Sequence, residues 1–248
     1  MSTPPLSHCC VYAQPLWETV PGGEGVKLST AAPFTWLDSN GWLVLSGKPD
    51  ALGEIRAQAL SRCAGASDIA YISLAADLGD ALIEDMAELG APSGYLVELD
   101  DSDNNEVYDR LSAAGMIVIE ADRNAEALEG LISQTAISAL KAALERGALI
   151  LFEGAAVSIA AERRLNAKGE WTAGLNFIQH ALISSSADSD AQDASPQAKH
   201  VAPLDVPVIV LAPGAALALG PARQIETWGD GEVTISLRDP ARRPIDHP

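Results

Sequence analysis

The stretch GALILFEGAAVSIA, residues 147–160, decides the fold that we expect for this chain. A short apolar run leads into a turn of small residues and then into a segment that we interpret as a helix. Many hydrolases use this layout of strand, tight turn and helix to hold a nucleophile at the carboxyl edge of a sheet. Gly154 stands where the nucleophile would lie. The stretch therefore predicts a fold built for a catalytic turn, with the reactive side chain missing.

The residues before this stretch alternate between short apolar runs and segments of helical spacing. The predicted strands are 42–47, 69–75, 95–99, 116–122 and 148–152, and the predicted helices are 51–63, 80–89, 106–113, 124–132, 135–146 and 155–164. Asp80 is the expected N-cap of the second helix, and Gly147 the C-cap of the fifth. This alternation predicts an α/β fold with a mostly parallel central sheet and helices on both faces, a three-layer sandwich whose central strand ends at Phe152.

The two ends of the chain differ in composition from the middle. Residues 1–40 are rich in Pro and Gly and are interpreted as an N-terminal arm, followed by a single domain over 41–238 and an exposed tail over 239–248. Within the domain, the polar stretch 184–199 is expected to be a mobile loop. Short strands at 206–211, 215–219 and 232–237 are expected to close the fold, with Gly229–Gly231 as a turn between neighbouring strands.

The charge of the chain excludes two classes of partner. The 248 residues carry 16 Lys and Arg against 34 Asp and Glu, a formal net charge of −18, which repels nucleic acid and anionic membrane surfaces.

No apolar run approaches the roughly 20 residues of a membrane span, and three cysteines form no disulfide framework. We expect a soluble, cytoplasmic protein.

Two short stretches raise the question of a metal ion. His8-Cys9-Cys10 lacks further ligands at a workable spacing. The acidic run at 100–105 lacks the glycine and the terminal glutamate of a calcium-binding loop, so a solvated turn is the stronger interpretation. The sequence predicts no metal and no cofactor.

Several stretches share the pattern of one protein family. They are LVLSGKP (43–49), MIVIEADRNAEALEGLI (116–132), FEGAAV (152–157), GLNFI (174–178) and WGDGEVTISL (228–237). Over residues 41–237 the chain resembles the cyanophycinase and peptidase E family of serine peptidases, which share the class I glutamine amidotransferase-like, flavodoxin-like fold. The resemblance implies a sheet edge lined by Glu120, Ala121, Asp122, Glu153, Gly154 and Ala155. It also implies a homodimer, and Trp17 and Trp36 of the arm are expected to pack on the domain or on a neighbouring subunit.

The residues that would carry out the family's chemistry are replaced. The nucleophile of the family's Gly-Thr-Ser-Ala-Gly-Ala turn falls on Gly154, and the histidine of its Asp-x-His-Phe step falls on Ser186. A hydroxyl and a proton acceptor are both needed to activate a serine, and neither position supplies its part. Glu120 and Glu153 are expected to bring negative charge toward the site, which opposes formation of an oxyanion. The resemblance thus predicts a catalytically inactive relative that binds a small ligand or a protein partner at this edge, or that has a structural role.

An active hydrolase remains the alternative. Ser158 also has small residues two positions to either side, Ala156 and Ala160, and could be a displaced nucleophile with His180 as its base. Against this, a serine in a helix commonly bonds back to its own backbone, and a lone histidine amid apolar residues is more often structural.

Overall fold

The protein is described by a computed structural model that covers residues 33–48, 52–63, 68–74, 76–99, 103–121, 124–166, 168–185 and 206–236. The strands are β1 Thr35–Trp36, β2 Trp42–Ser46, β3 Ile69–Ile72, β4 Gly94–Leu96, β5 Met116–Ala121, β6 Leu149–Gly154, β7 Arg163–Leu165, β8 Trp171–Ala173, β9 Ile178–Gln179, β10 Leu182–Ser185, β11 Val208–Leu211, β12 Ala215–Leu219, β13 Ile225–Gly229 and β14 Val233–Ser236. The α-helices are α1 Glu54–Arg62, α2 Ala76–Glu88, α3 Asn104–Ala113, α4 Ala125–Leu131 and α5 Gln134–Arg146.

A seven-stranded sheet in the order β13-β12-β2-β6-β5-β3-β4 forms the centre of the molecule. The strands β2, β6, β5, β3 and β4 are parallel, and β12 and β13 extend the sheet antiparallel. The strand β6 lies in the middle, as predicted for the strand of the 147–160 stretch. The expected α/β fold with a mostly parallel sheet is confirmed.

Two apolar layers cover the two faces of this sheet. On one face, α1 and α2 pack on alternate residues of the strands, among them Val44, Val118 and Leu151. On the other face, α3, α4 and α5 pack on the residues between them, such as Leu45, Ile119 and Phe152. Continuous apolar runs are typical of parallel strands that are buried on both sides, and the helices therefore lie on both faces as predicted.

The elements after β6 differ from the prediction. The expected helix over 155–164 is wrong: Ala155–Ala160 forms a 3₁₀ segment, and the chain then enters β7. The backbone N–H groups of Leu175 and Phe177 bond to the carbonyls of Ile159 and Ala160, so these carbonyls are taken by a neighbouring segment instead of by a continuing helix. We name Ala155–Ala160 the elbow segment.

Smaller corrections concern where elements begin and end. The central strand runs two residues beyond Phe152, to Gly154. Asp80 lies inside α2 and is not its N-cap, because the helix begins at Ala76. Gly79, in the first turn of this helix, packs against the Leu96 side chain and leaves no room for a Cβ. Gly147 does end α5, with a φ of 109°.

The last third of the chain forms a second, small sheet in the order β10-β11-β14, and the hairpin β7-β8. The turn Gly229–Gly231 joins β13 to β14, which belong to different sheets and are not hydrogen-bonded neighbours. Sequence reasoning missed β13, because its residues IETWG do not alternate between apolar and polar side chains. The mobile-loop prediction for 184–199 falls almost wholly outside the described residues, as does the tail.

The end of the predicted arm is part of the folded body. The strand β1 pairs with β9, and Trp36 is buried with its indole N–H bonded to the Gly220 carbonyl at 3.3 Å. Trp36 therefore packs on its own domain, one of the two outcomes expected for it. Trp17 lies outside the described residues, and self-association stays a prediction.

We expect Phe152→Ala to lower the free energy of unfolding by about 3–5 kcal/mol, because the ring is fully buried and lies 5.9 Å from the ring of Phe177. Urea denaturation followed by circular dichroism measures the change. Leu52→Ala is the control, since Leu52 is 77% exposed and its loss should change stability by no more than about 0.5 kcal/mol. Equal effects of the two substitutions would contradict the assignment of Phe152 to the core.

Candidate functional site

The carboxyl edge of the parallel strands is where a site is expected in this fold. The chain leaves β2 and β3 toward the face of α1 and α2, whereas it leaves β5 and β6 toward the face of α4 and the elbow segment. Because β2 lies next to β6, and β5 next to β3, the loops diverge at two points along this edge. Open α/β sheets bind ligands where the loops of neighbouring strands diverge in this way.

Gly154 lies at a sharp turn of the backbone, with a positive φ. Its φ of 63° and ψ of −132° lie in a region that residues with a side chain rarely adopt. Its backbone N–H donates to the carbonyl of Gly47 at 3.2 Å, which ties the ends of β6 and β2 together. The backbone of the predicted turn is thus present, with glycine at the position predicted from the sequence.

The space for a side chain at Gly154 is occupied. Gly154 pairs with Ala121 across β5 and β6, and a Cβ built on Gly154 would lie 2.5 Å from the Ala121 carbonyl oxygen. Cβ atoms do not approach backbone oxygens so closely, so a side chain here requires the end of β5 to move. Ala121 and Ala155, both predicted to line the site, are buried in the apolar layer beside it.

The carboxylate of Glu153 is fully buried and paired with an arginine. The Arg56 side chain of α1 donates from Nε to both carboxylate oxygens, at 3.2 and 3.0 Å, and from Nη2 at 2.8 Å. Arg56 is itself only 5% exposed. A buried carboxylate is tolerated only when it is paired and hydrogen-bonded, and this contact meets that requirement.

Two further carboxylates complete a polar cluster around this arginine, which we name the Arg56 cluster: Arg56, Glu153, Glu120 and Asp85. Asp85 lies 3.2 Å from Nη1 and Glu120 lies 3.6 Å from Nη2. Burial lowers the pKa of Arg56, but the three carboxylates outweigh that effect and the net pKa is raised. Burial also raises the pKa of the nearby Tyr71 to about 12, although Arg56 acts in the opposite direction. The cluster therefore holds one permanent cation and three acidic groups.

Glu120 and Glu153 lie side by side in register on β5 and β6. Two residues before them, Val118 and Leu151 belong to the layer under α1 and α2. Both carboxylates also contact Arg56, so their side chains lie on that face of the sheet. The elbow segment that continues from Gly154 packs on the opposite face. The structure thus brings the two predicted carboxylates together, but it holds them with Arg56 across the sheet from the elbow segment.

The alternative pair, Ser158 and His180, is not joined. The Ser158 hydroxyl donates to the Ala155 carbonyl at 2.9 Å, the back-bonding that was weighed against a catalytic role. His180 is exposed at a position of positive φ, 59°, between β9 and β10. Asp122 and Ser186 lie outside the described residues.

Sequence reasoning missed two residues of this edge, Arg56 and Ser46. A glutamate at the end of the apolar run LILFE implies a buried cation, and that was a usable signal for an arginine on a helix of the same face. Ser46 ends β2 directly beside Glu153 and is fully buried. No sequence pattern marks it, because a serine at the end of a strand is common.

Comparisons with known proteins place the fold. No family model and no curated protein matches the chain. Among solved structures, a peptidase from an acI-B1 Actinobacterium superposes with a TM-score of 0.64 at 17% identity, over 82% of this chain and 94% of that one. A proposed peptidase E protein from Listeria monocytogenes EGD-e superposes with a TM-score of 0.54 at 12% identity, over 77% of this chain and 98% of that one. The chain therefore has a peptidase E-like fold.

Within the described part of the chain, no helix is both long and apolar enough to cross a membrane. The same residues contain no group of three or more His, Cys, Asp or Glu side chains placed to hold a metal ion. His8-Cys9-Cys10 and the first half of the acidic run, residues 100–102, lie outside them.

We expect Glu153→Gln to lower the free energy of unfolding by about 3–5 kcal/mol, because it leaves the buried Arg56 without its main counter-charge. Arg56→Met should have an effect of similar size for the converse reason. The double variant Arg56→Met with Glu153→Gln should recover much of the loss, since it removes both charges. Urea denaturation of the four proteins measures the cycle, and additive losses in the double variant would contradict a direct buried pair.

A second prediction concerns the blocked position. Gly154→Ala should destabilise the protein by about 1–3 kcal/mol, because alanine is strained at this φ and its Cβ meets the Ala121 carbonyl. Gly130→Ala is the matched control: Gly130 lies inside α4 with nothing within 4 Å of the point where a Cβ would lie, and alanine there should stabilise by about 0.5–1 kcal/mol. Thermal unfolding compares the two variants. A Gly154→Ala protein as stable as the wild type would mean that this position accepts a side chain.

Proposed function

We propose that this chain is a non-hydrolytic, peptidase E-like protein that acts by binding, and that the carboxyl edge of its central sheet is the binding surface. The observation that carries the proposal is the turn at Gly154. The backbone has the geometry of a nucleophile turn, the residue there has no side chain, and the Ala121 carbonyl oxygen lies 2.5 Å from where a Cβ would be. A serine nucleophile does not fit this backbone.

The Arg56 cluster supports the same proposal from the other face of the edge. Acyl transfer needs donors directed at a developing negative charge. Here the Arg56 side chain at this edge is already held by Glu153, Glu120 and Asp85. An Arg56 side chain committed to three carboxylates is poorly suited to stabilise an oxyanion.

Retention of a fold with a change in its use is common, because function depends on the residues of a site and not on the scaffold. The two solved structures that this chain resembles are described as peptidases, and at identities of 17% and 12% they show a shared fold and not a shared activity. A peptidase-like hydrolase that uses Ser158 with His180 is the second candidate function. Its support is the position of Ser158 in the elbow segment, and the bond from Ser158 to Ala155 opposes it.

A fluorophosphonate probe separates the two candidates, because it forms a covalent bond with an activated serine. We expect no labelling of the wild-type protein, since Gly154 supplies no hydroxyl and Ser158 bonds to a backbone carbonyl. Intact-mass spectrometry at neutral pH measures labelling, with an active serine hydrolase as positive control and heat-denatured protein as the measure of nonspecific reaction.

Stoichiometric labelling that disappears in Ser158→Ala would contradict the non-hydrolytic proposal and establish the displaced nucleophile. Ser138→Ala is the matched control for that variant, because Ser138 lies in α5 and its hydroxyl also bonds back to a carbonyl of its own helix, that of Gln134 at 2.9 Å. The extent of labelling in Ser138→Ala should equal that of the wild-type protein.

A further inference from the structure

The Ser46 hydroxyl has hydrogen-bonding capacity that the described residues do not use. Ser46 is 0% exposed, and its Oγ has no hydrogen-bond partner there. Buried hydroxyls in folded proteins are nearly always bonded, because an unpartnered one loses its bonds to water without replacement. The hydroxyl therefore points to a bonding group that the described residues do not provide.

Ser46 lies beside the Arg56 cluster. It pairs in register with Glu153, and Glu153 pairs with Glu120, so the three residues form one row across β2, β6 and β5. Val44 and Leu151, two residues earlier on β2 and β6, share the layer under α1 and α2, so Ser46 and Glu153 project to that same face. Neighbouring strands are about 4.8 Å apart, so the nitrogen of a ligand placed between the Ser46 and Glu153 side chains would lie within hydrogen-bond distance of both.

The charge of the cluster selects the kind of ligand. One arginine faces three carboxylates, a formal charge of −2, which favours a cation and disfavours phosphate or carboxylate. A primary ammonium carries three N–H donors, and a serine oxygen and a carboxylate oxygen are both acceptors. The cluster reaches solvent through Asp85 and Glu120, whose side chains are 66% and 27% exposed.

The position of the row within the fold agrees with this chemistry. Ser46 is the last residue of β2 and Glu153 is the last but one of β6, and the segments that follow these neighbouring strands leave toward opposite faces. This is one of the two points at which a sheet of this kind forms a crevice.

We propose that the ends of β2 and β6 bind the primary ammonium group of a small amine, with the Ser46 Oγ and the Glu153 carboxylate as acceptors. The inference rests on the proposed binding function of this edge and names its ligand class. Glu120 and Asp85 supply the surrounding negative charge, and Arg56 keeps the Glu153 carboxylate in place.

The test uses methylammonium chloride as the probe and tetramethylammonium chloride, which has no N–H donor, as its control at the same ionic strength. Methylammonium should raise the unfolding temperature of the wild-type protein, and tetramethylammonium and potassium chloride should not. Line broadening of ¹³C-methylammonium in NMR measures the same binding without unfolding. In Ser46→Ala we expect methylammonium affinity to fall about tenfold or more, while Ser138→Ala, altered in a hydroxyl of α5 already bonded to a carbonyl of its own helix, should bind as the wild type does.

Three results would overturn the inference: equal shifts with all three salts, unchanged methylammonium affinity in Ser46→Ala, or a crystal structure grown with methylammonium in which Ser46 bonds to an ordered water only. If Ser46→Ala folds poorly, Ser46→Cys gives a second measurement, because a thiol is a weak acceptor and should also reduce affinity. The outcome is independent of the fluorophosphonate experiment. Labelling at Ser158 would remove the non-hydrolytic function alone, whereas loss of methylammonium binding in an unlabelled protein would remove this inference alone.

Discussion

The buried contact between Arg56 and Glu153 is the interaction on which the arrangement of this sheet edge depends. A carboxylate at the end of the central strand, wholly removed from water, is tolerated only beside a cation with good geometry. Arg56 supplies three hydrogen bonds to it. Because Arg56 belongs to the first turn of α1 and Glu153 to β6, the pair fixes where that helix begins relative to the centre of the sheet. Arg56 also contacts Asp85 of α2, and so links that helix to the end of β6 as well.

The register of β5 on β6 is the second constraint, and it has two consequences at once. It aligns Glu120 with Glu153, which places two carboxylates within reach of one arginine. One residue further along, it aligns Ala121 with Gly154, which puts a backbone carbonyl where a side chain at Gly154 would lie. A single pairing thus gathers negative charge on one face of the sheet and closes the turn on the other.

Under the proposed binding function, this edge differs from a serine-hydrolase site built on the same scaffold. Such a site keeps a strained turn because the strain exposes a reactive oxygen. Here the turn is kept with glycine, which adopts the conformation with little strain, and the charged groups nearby are paired with one another. The Ser46 hydroxyl, without a partner among the described residues, lies beside this paired but net-negative cluster, and it is the reason for proposing a ligand at the edge.

The sequence by itself determined the class of the fold, because short apolar runs typical of buried parallel strands alternate with segments of helical spacing between residues 42 and 152. It also located the turn, since the small residues around Gly154 are needed wherever a strand bends so sharply. It failed where structure depends on distant contacts: the elbow segment stops being helical because residues 175–177 take its carbonyls, and β13 exists because β12 lies beside it. Only the tertiary structure decided that Glu153 meets Arg56, 97 positions away, and that Ser46 lies next to both. Alternation along a strand predicts which side chains share a face, but which strands and helices become neighbours is settled by packing, and the chemistry of this edge follows from those neighbours.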